Sequence, residues 1–519
     1  MTGAPEPGPE GGATPPPGPR PQGPDGPPGY PPAAGGTAGP AALLPLLRQV
    51  LEALAAGAAR RGGPIPAGPP AAVAEQVREA LAAAPGPDAL ARLVELLAYG
   101  SADPADPACA AHLHCPPLAV AVAADLAVDA LNPSQDSWDQ APAATALETA
   151  LLAELAALAG YDPARSAGVF TSGGTESNLM GLLLAREAVL GAGVALDGLP
   201  SGVRPRILAS EAAHFSVQRA AAVLGLGERA VRAVPVDRAL RMDPAALAAE
   251  LAATVREGGR PIAVVATAGT TDTGAVDPLP EAAELAARYG AWLHVDAAYG
   301  GGALLSDRLA PLLTGIAAAD SLSLDWHKLG WQPVPAGVFL VRRAETYAPL
   351  ARRAVYLNPA DDEEAGYPSL LGRSLRTTRR PDAFKLAVTL RTLGREGLGR
   401  MVDACHDLAR AAAEAVRAEP ALELATEPQL TTVVFRYRPR TDAPAASDRL
   451  NGELRRALLR SGRAVIGRTE LPGTGPGRVR LKLTLLNPRT TPAQVARILA
   501  ETAREGRRLE ESDGPSGRG

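Results

Sequence analysis

The chain is 519 residues long, 46% hydrophobic and 21% charged, with a formal net charge of −4. That length corresponds to about three domain-sized units with apolar material for large cores. Both charge signs are spread along the chain and no run of 18 or more apolar residues appears. Neither a nucleic-acid-binding or membrane-surface protein nor a membrane span is therefore expected.

Residues 1–40 are dominated by Pro, Gly and Ala and predict a disordered tail, as do residues 508–519. No basic segment followed by an apolar core opens the chain, so no signal peptide is expected. Residues 41–130 read as an N-terminal helical segment. Leu43, Leu44, Leu47 and Val50, then Val73, Val77 and Leu81, then Leu90, Leu93 and Leu97 recur at helical spacing. From 131 to 399, short apolar strands at 168–171, 206–209, 263–266, 292–295, 321–324 and 337–341 alternate with helices at 177–190, 215–224 and 279–289. This alternation predicts an α/β domain with a mostly parallel central sheet covered on both faces. A helix over 401–418, strands around 431–437 and 479–485, and a last helix from Pro492 predict a smaller C-terminal α+β domain over 400–507. Cys109, Cys115 and Cys405 are odd in number and lack metal-type spacing to His. No metal site and a reducing cytoplasm are expected.

Only three of the 52 basic side chains are lysines: Lys328, Lys385 and Lys482. Lysine can deprotonate and form an imine, which arginine cannot. Lys328 closes the run Asp325-Trp326-His327-Lys328, 32 positions after Asp296 in His294-Val295-Asp296-Ala297-Ala298-Tyr299.

Taken in chain order, the polar motifs follow the strands. Thr171-Ser172-Gly173-Gly174-Thr175-Glu176-Ser177-Asn178 leaves a strand and opens a helix. Two glycines let a ligand approach the backbone, and the helix dipole favours an anion. His214 follows the second strand, where a flat imidazole can stack on an aromatic cofactor. Thr267 follows the strand over 262–266. Asp296 ends the next, where a carboxylate can keep a pyridine nitrogen protonated. Each piece alone also has an ordinary reading as a turn, a cap or a structural His. Together they fall at the C-terminal ends of predicted strands, the edge where open α/β sheets bind ligands. A Gly-rich turn, a strand-end Asp and a His-Lys pair are what pyridoxal 5'-phosphate (PLP) chemistry requires.

This ordered set resembles the PLP-dependent group II amino-acid decarboxylases, of the aspartate-aminotransferase-like fold (fold type I), over about residues 45–505. The resemblance implies that Gly174 and Thr175 contact the phosphate, His214 stacks on the ring and Thr267 lines the cofactor. It implies that Asp296 pairs with the ring nitrogen, that Ala298 lies under the ring, and that Lys328 is the Schiff-base lysine with His327 beside it. Tyr356, in Val355-Tyr356-Leu357-Asn358-Pro359, matches the family's mobile-loop tyrosine, implied to protonate the product. That loop reaches the partner subunit's site, so a homodimer with shared active sites is implied. Lys385 matches a structural helix lysine. Lys482 falls where many members carry a carboxylate-binding Arg.

The family's substrate-facing stretch matches residues 132–145, which include Asp136 and Trp138. A carboxylate at Asp136 suits a distal ammonium, although Asp there also reads as a cap or a surface residue. The runs DSWDQAPAAT, TTRRPDAFK and LKLTLLNPRTT are most similar to bacterial L-2,4-diaminobutyrate and siderophore-type lysine decarboxylases. Pro381 and Gly330-Trp331 depart from the usual residues of this branch, which bears on substrate and not on cofactor. The expected reaction is decarboxylation of an L-amino acid, a diamino acid, to the amine and CO₂. An aromatic or acidic amino-acid decarboxylase, or a non-catalytic PLP-binding protein, are the alternatives. The Gly-rich turn lacks both GxxxxGK[ST] and GxGxxG, which removes a generic nucleotide-binding protein.

Overall fold

The computed structural model describes residues 31–191, 193–440 and 443–513. Most of the tail expected at 1–40 lies outside the described residues, but helix α1 (Gly39–Arg61) already contains Gly39 and Pro40. Proline in a first helical turn loses no intrahelical hydrogen bond, so the Pro-rich composition hides this start. Helices α2 (Pro70–Ala82), α3 (Ala89–Gly100) and α4 (Ala119–Leu131) follow. α1 packs along α3, where a Cβ on Gly57 would stand 2.3 Å from the Glu95 carbonyl oxygen. Leu44, Leu46, Leu51 and Leu54 of α1 and Leu81 and Leu97 of α2 and α3 are exposed. α1 is also long and apolar enough, by length and composition, to cross a membrane. No such span was expected, because Arg48 and Glu52 interrupt its apolar run.

The large domain holds seven strands. They are β1 (Ala167–Thr171), β2 (Pro205–Ser210), β3 (Val231–Val234), β4 (Arg260–Thr267), β5 (Trp292–Ala297), β6 (Ser321–Asp325) and β7 (Gly337–Val341). Their order is β1-β7-β6-β5-β4-β2-β3. Only β7 runs antiparallel to its neighbours, β1 and β6; the other pairs are parallel. Side chains alternate across a strand, and each face is apolar. Leu208, Val264, Leu293, Leu322 and Leu340 face one cluster, with helix α5 (Pro142–Leu158) and the helices Pro244–Arg256 and Leu279–Arg288. Val169, Ile207, Val265 and Phe339 face the other, under helix α6 (Gly174–Leu190) and helix Ser216–Val223. Burial on both faces is why these strands read as short apolar runs.

The small domain is a four-stranded antiparallel sheet, β10-β11-β9-β8. Its strands are β8 (Leu422–Leu424), β9 (Thr432–Tyr437), β10 (Gly467–Glu470) and β11 (Val479–Thr484), packed on the helices Pro444–Arg460 and Pro492–Asp513. Three strands were not anticipated: β3, β8 and β10. All are short and lie at sheet edges, where the alternation is weakest. The boundary at 399/400 is not a linker either, because helix Ala383–Ala418 runs through it, broken at Gly394 (φ 69°). The last helix runs past residue 508, where the C-terminal tail was expected to begin. Glu510 accepts hydrogen bonds from the Tyr437 hydroxyl (2.7 Å) and the Arg440 amide (2.6 Å), which ties the last helix down through Asp513.

Candidate active site

β4, β5 and β6 run parallel and end together. Their side-chain registers place Thr267 beside Asp296, and Asp296 beside Ser323. A cavity of about 400 Å³ opens over these strand ends. Gly173, Gly174, Thr175, His214, Thr267, Asp296, Ala298, His327 and Lys328 all line it, together with Asn178 and Asp325. The edge expected to bind ligand therefore gathers the anticipated cofactor-binding residues in one place.

The turn between β1 and α6 has the shape an anion needs. The amides of Gly174, Thr175 and Glu176 have no carbonyl partner within their helix and carry its positive dipole end. Gly173 (φ 151°) and Gly174 keep the turn bare. A Cβ on Gly174 would stand 2.9 Å from the Ala298 Cβ, and one on Gly173 3.2 Å from the His327 ring. Glu176, which would oppose an anion, is turned away. It accepts from the Ser172 amide at 2.7 Å and from Arg376 at 3.0 Å.

Asp296 is buried and braced. Its Oδ1 accepts from the Ala298 amide (3.1 Å) and its Oδ2 from the Asn178 side chain (2.8 Å). α6 comes close enough for this because Gly181 carries no side chain; a Cβ there would sit 2.5 Å from the His294 ring. His214 bonds the Ser216 hydroxyl through Nδ1 at 2.9 Å. Burial holds its pKa below the usual histidine value, against the opposing pull of Asp296, and burial does the same at His327. Both rings are thereby favoured in the neutral form. Lys328 Nζ lies 2.9 Å from Asp325 Oδ2, and His327 Nε2 lies 3.6 Å from the same oxygen.

Three buried polar atoms of the cavity wall make no hydrogen bond within the described residues: Thr267 Oγ1, His327 Nδ1 and Asp325 Oδ1. Buried polar groups are rarely left so. With the bare turn, the braced carboxylate and the lysine, they fit a phosphorylated pyridine aldehyde. The site's chemistry is that of a PLP enzyme of fold type I.

The other anticipated residues lie elsewhere in the single chain. Tyr356 is 84% exposed and borders a second cavity, of about 380 Å³, with Trp138, Asp139 and Tyr367. The Trp138 and Tyr367 rings meet edge to face at 5.0 Å. Asp136 lines neither cavity. Its Oδ1 is buried and has no hydrogen-bond partner among the described residues, as is true of the neighbouring Ser134 Oγ and Gln135 Oε1. Lys482 does not line the cofactor cavity: its ammonium bonds the Thr271 carbonyl and the Asp272 carboxylate, both at 3.0 Å, and clamps the loop after β4 from behind. Lys385 is fully buried, paired with Asp382 (3.1 Å) and Asp125 (3.4 Å). Asn178 and Asp325 were not singled out from the sequence. The available signals were an Asn inside a helix, where it is a poor former, and an acid at the end of an apolar strand.

Comparison with known proteins agrees. Residues 81–438 match the model of the pyridoxal-dependent decarboxylase conserved domain. The chain belongs to that family. It is 48% identical over 402 residues to an L-2,4-diaminobutyrate decarboxylase of Rhizobium meliloti (strain 1021), covering 77% of this chain and 78% of the relative. It is 40% identical to the enzyme of the same name from Acinetobacter baumannii, covering 82% and 84%. The solved glutamate decarboxylase domain of a diaminobutyrate-pyruvate transaminase and L-2,4-diaminobutyrate decarboxylase from Vibrio parahaemolyticus superposes with a TM-score of 0.81. It is 33% identical over 92% of this chain and 98% of that one. Mouse CSAD superposes with a TM-score of 0.82 at 27% identity, covering 90% and 99%. The protein is a PLP-dependent amino-acid carboxy-lyase.

Proposed function

We propose that the substrate is L-2,4-diaminobutyrate, decarboxylated to the diamine and CO₂ by a cytoplasmic homodimer. The observation that carries the chemistry is the convergence of Lys328, the braced Asp296 and the bare Gly173-Gly174 turn on one cavity. Identity of 48% and 40% to diaminobutyrate decarboxylases supports the substrate.

Bound PLP supplies an aldehyde and an electron-accepting ring, which takes up the electrons of the breaking Cα–carboxylate bond. The chain does the rest. The α6 amides and the Thr175 hydroxyl would hold the phosphate. The Asp296 carboxylate, fixed by Asn178 and the Ala298 amide, would keep a proton on the ring nitrogen. Lys328 would provide the amine that holds the cofactor, and the neutral His214 imidazole would offer it a flat face. Tyr356 delivers a proton to the substrate carbon from a loop of the second subunit. The exposed position of that loop and the exposed leucines of α1 support an assembly in which two copies complete each other's sites. Large apolar faces are rarely left to water. Asp136, which lines neither cavity of its own chain, is the receptor for the distal ammonium across the dimer.

The test is a comparison of kcat/KM for L-2,4-diaminobutyrate, lysine, an aromatic and an acidic amino acid. Preference for diaminobutyrate, lost in Asp136→Ala with kcat for other substrates retained, supports the reading. Equal preference in the variant removes Asp136 from it, and preference for an aromatic or acidic substrate overturns it.

A further inference from the structure

Asp325 faces the phosphate turn, and nothing in the decarboxylation chemistry accounts for it. It ends β6 with its side chain 2% exposed. Both carboxylate oxygens look at the two bare glycines. A Cβ on Gly174 would stand 3.2 Å from Oδ2, and one on Gly173 3.8 Å from Oδ1. Oδ2 has Lys328 at 2.9 Å, while Oδ1 is buried without a hydrogen-bond partner. A phosphate drawn to the start of α6 therefore meets a carboxylate already in place.

The charges do not balance as they stand. A phosphate monoester carries close to two negative charges above pH of about 6. A carboxylate beside it in a buried site adds a third, and like charges sharing a site push a proton onto one of them. The groups facing Asp325 offer little relief. On its own turn stand Lys328 and His327, and His327 is kept neutral by burial. Across the cavity stands His214, also disfavoured as a cation. α6 contributes amides and the Thr175 hydroxyl but no free cation, its Glu176 being engaged by Arg376. Lys328 is the partner that balances Asp325, and it is also the amine needed to hold the cofactor.

We propose that Asp325 meets the cofactor's phosphate through one shared proton, taken from solvent as the cofactor binds. The proton gives the orphaned Oδ1 its hydrogen bond and removes the clash between carboxylate and phosphate. Cofactor affinity then falls as pH rises, through the phosphate and not through the aldehyde. The inference rests on the PLP reading of the site.

Equilibrium titrations of wild type and Asp325→Asn with PLP and with pyridoxal, which lacks the phosphate, separate these effects. Comparing the ratio of PLP to pyridoxal affinity between the two proteins cancels what the aldehyde, pyridoxal's ring closure through its 5'-hydroxyl and Lys328 contribute. Between about pH 6.5 and 9, above the second phosphate pKa of about 6, the ratio falls up to about tenfold per pH unit in wild type, as uptake of one proton requires. In Asp325→Asn it stays level and exceeds wild type at the alkaline end. Parallel profiles in the two proteins would overturn the proposal. Calorimetry of wild type in two buffers of different ionisation enthalpy is independent of the variant's folding. One more proton taken up with PLP than with pyridoxal supports the shared proton, and no excess overturns it. Failure of wild type to bind either compound would overturn the PLP reading itself, and this proposal with it.

Discussion

Asn178 donates its side-chain amide to Asp296 at 2.8 Å and accepts from His294 Nε2 at 2.9 Å, so the direction of every bond in this network is fixed. The carboxylate can only accept, which orients the Asn178 amide. Its oxygen then requires a proton on His294 Nε2 and also takes the Ser323 hydroxyl at 2.6 Å. With its one proton on Nε2 and the buried ring neutral, His294 Nδ1 accepts from the Ser321 hydroxyl at 2.8 Å, and the Ser321 oxygen accepts from the Trp292 indole at 2.8 Å. A directed chain therefore runs from Trp292 to the Asp296 carboxylate.

Breaking this chain at its centre removes a bond from each of Asp296, His294, Ser323 and Ser216. Asn178→Ala lowers PLP affinity about 10- to 100-fold, the range found when groups orienting a buried ligand are removed. It also costs stability of about 1–3 kcal/mol for the groups left unpaired. Absorbance titration with PLP and a denaturant melt check both; wild-type affinity would contradict the role.

The same chain makes stability depend on pH. His294 is fully buried and burial pushes its pKa down to about 4 from 6.5. The folded protein thus binds fewer protons than the unfolded chain below pH of about 6.5. The stabilisation is complete above that value and is lost as pH falls towards 4, on the order of 3 kcal/mol in all. Denaturant melts across this window show the decline, and His294→Gln flattens it.

Glu148 and Arg379 form a buried pair at 2.8 Å, and Glu148 also accepts from the Phe170 amide at 3.1 Å. The Arg379 carbonyl in turn holds the Gln135 amide at 3.0 Å, next to Asp136. Removing one partner leaves a buried charge. Glu148→Ala costs about 3–5 kcal/mol, whereas replacing both residues with apolar ones of similar volume costs far less. Chemical denaturation of the single and double variants measures the difference.

Tyr356 and Lys328 sit in separate cavities of one chain, so their variants should complement one another. Inactive Lys328→Ala and Tyr356→Phe subunits, mixed and re-paired at random, recover roughly one quarter of wild-type activity if each site draws on both subunits. No recovery, with mixed dimers verified by mass, places both residues in one subunit's site.

The cofactor half of this site was legible because each of its residues ends a strand or starts a helix. Gly173, Gly174, Thr267, Asp296 and Lys328 combine a backbone signal with distinctive chemistry, and parallel strands bring their ends together. Asn178 carries no such signal, since its importance lies in partners from β5 and β6 that only the sheet register reveals. Lys482 shows the same dependence on packing: its type and place suit a substrate carboxylate, and in the single chain the packing of β11 against the loop after β4 sets its ammonium against Thr271 and Asp272. Residues 132–145 and 355–359 could not be placed from one chain's pattern, because their partners are not neighbours in sequence or along a single sheet edge. The first turn of α1 and the last turns of helix Pro492–Asp513 were hidden by Pro-rich and charged composition.

The central claim is that Lys328 holds PLP in a site that removes CO₂ from a diamino acid. Purified protein incubated with L-2,4-diaminobutyrate labelled at the carboxyl carbon tests it directly, with Lys328→Ala alongside and borohydride-treated protein mapped by mass spectrometry. The account predicts labelled CO₂ from wild type alone and a reduced pyridoxyl adduct on the peptide carrying Lys328. An adduct on another residue, or labelled CO₂ released equally by Lys328→Ala, would contradict it.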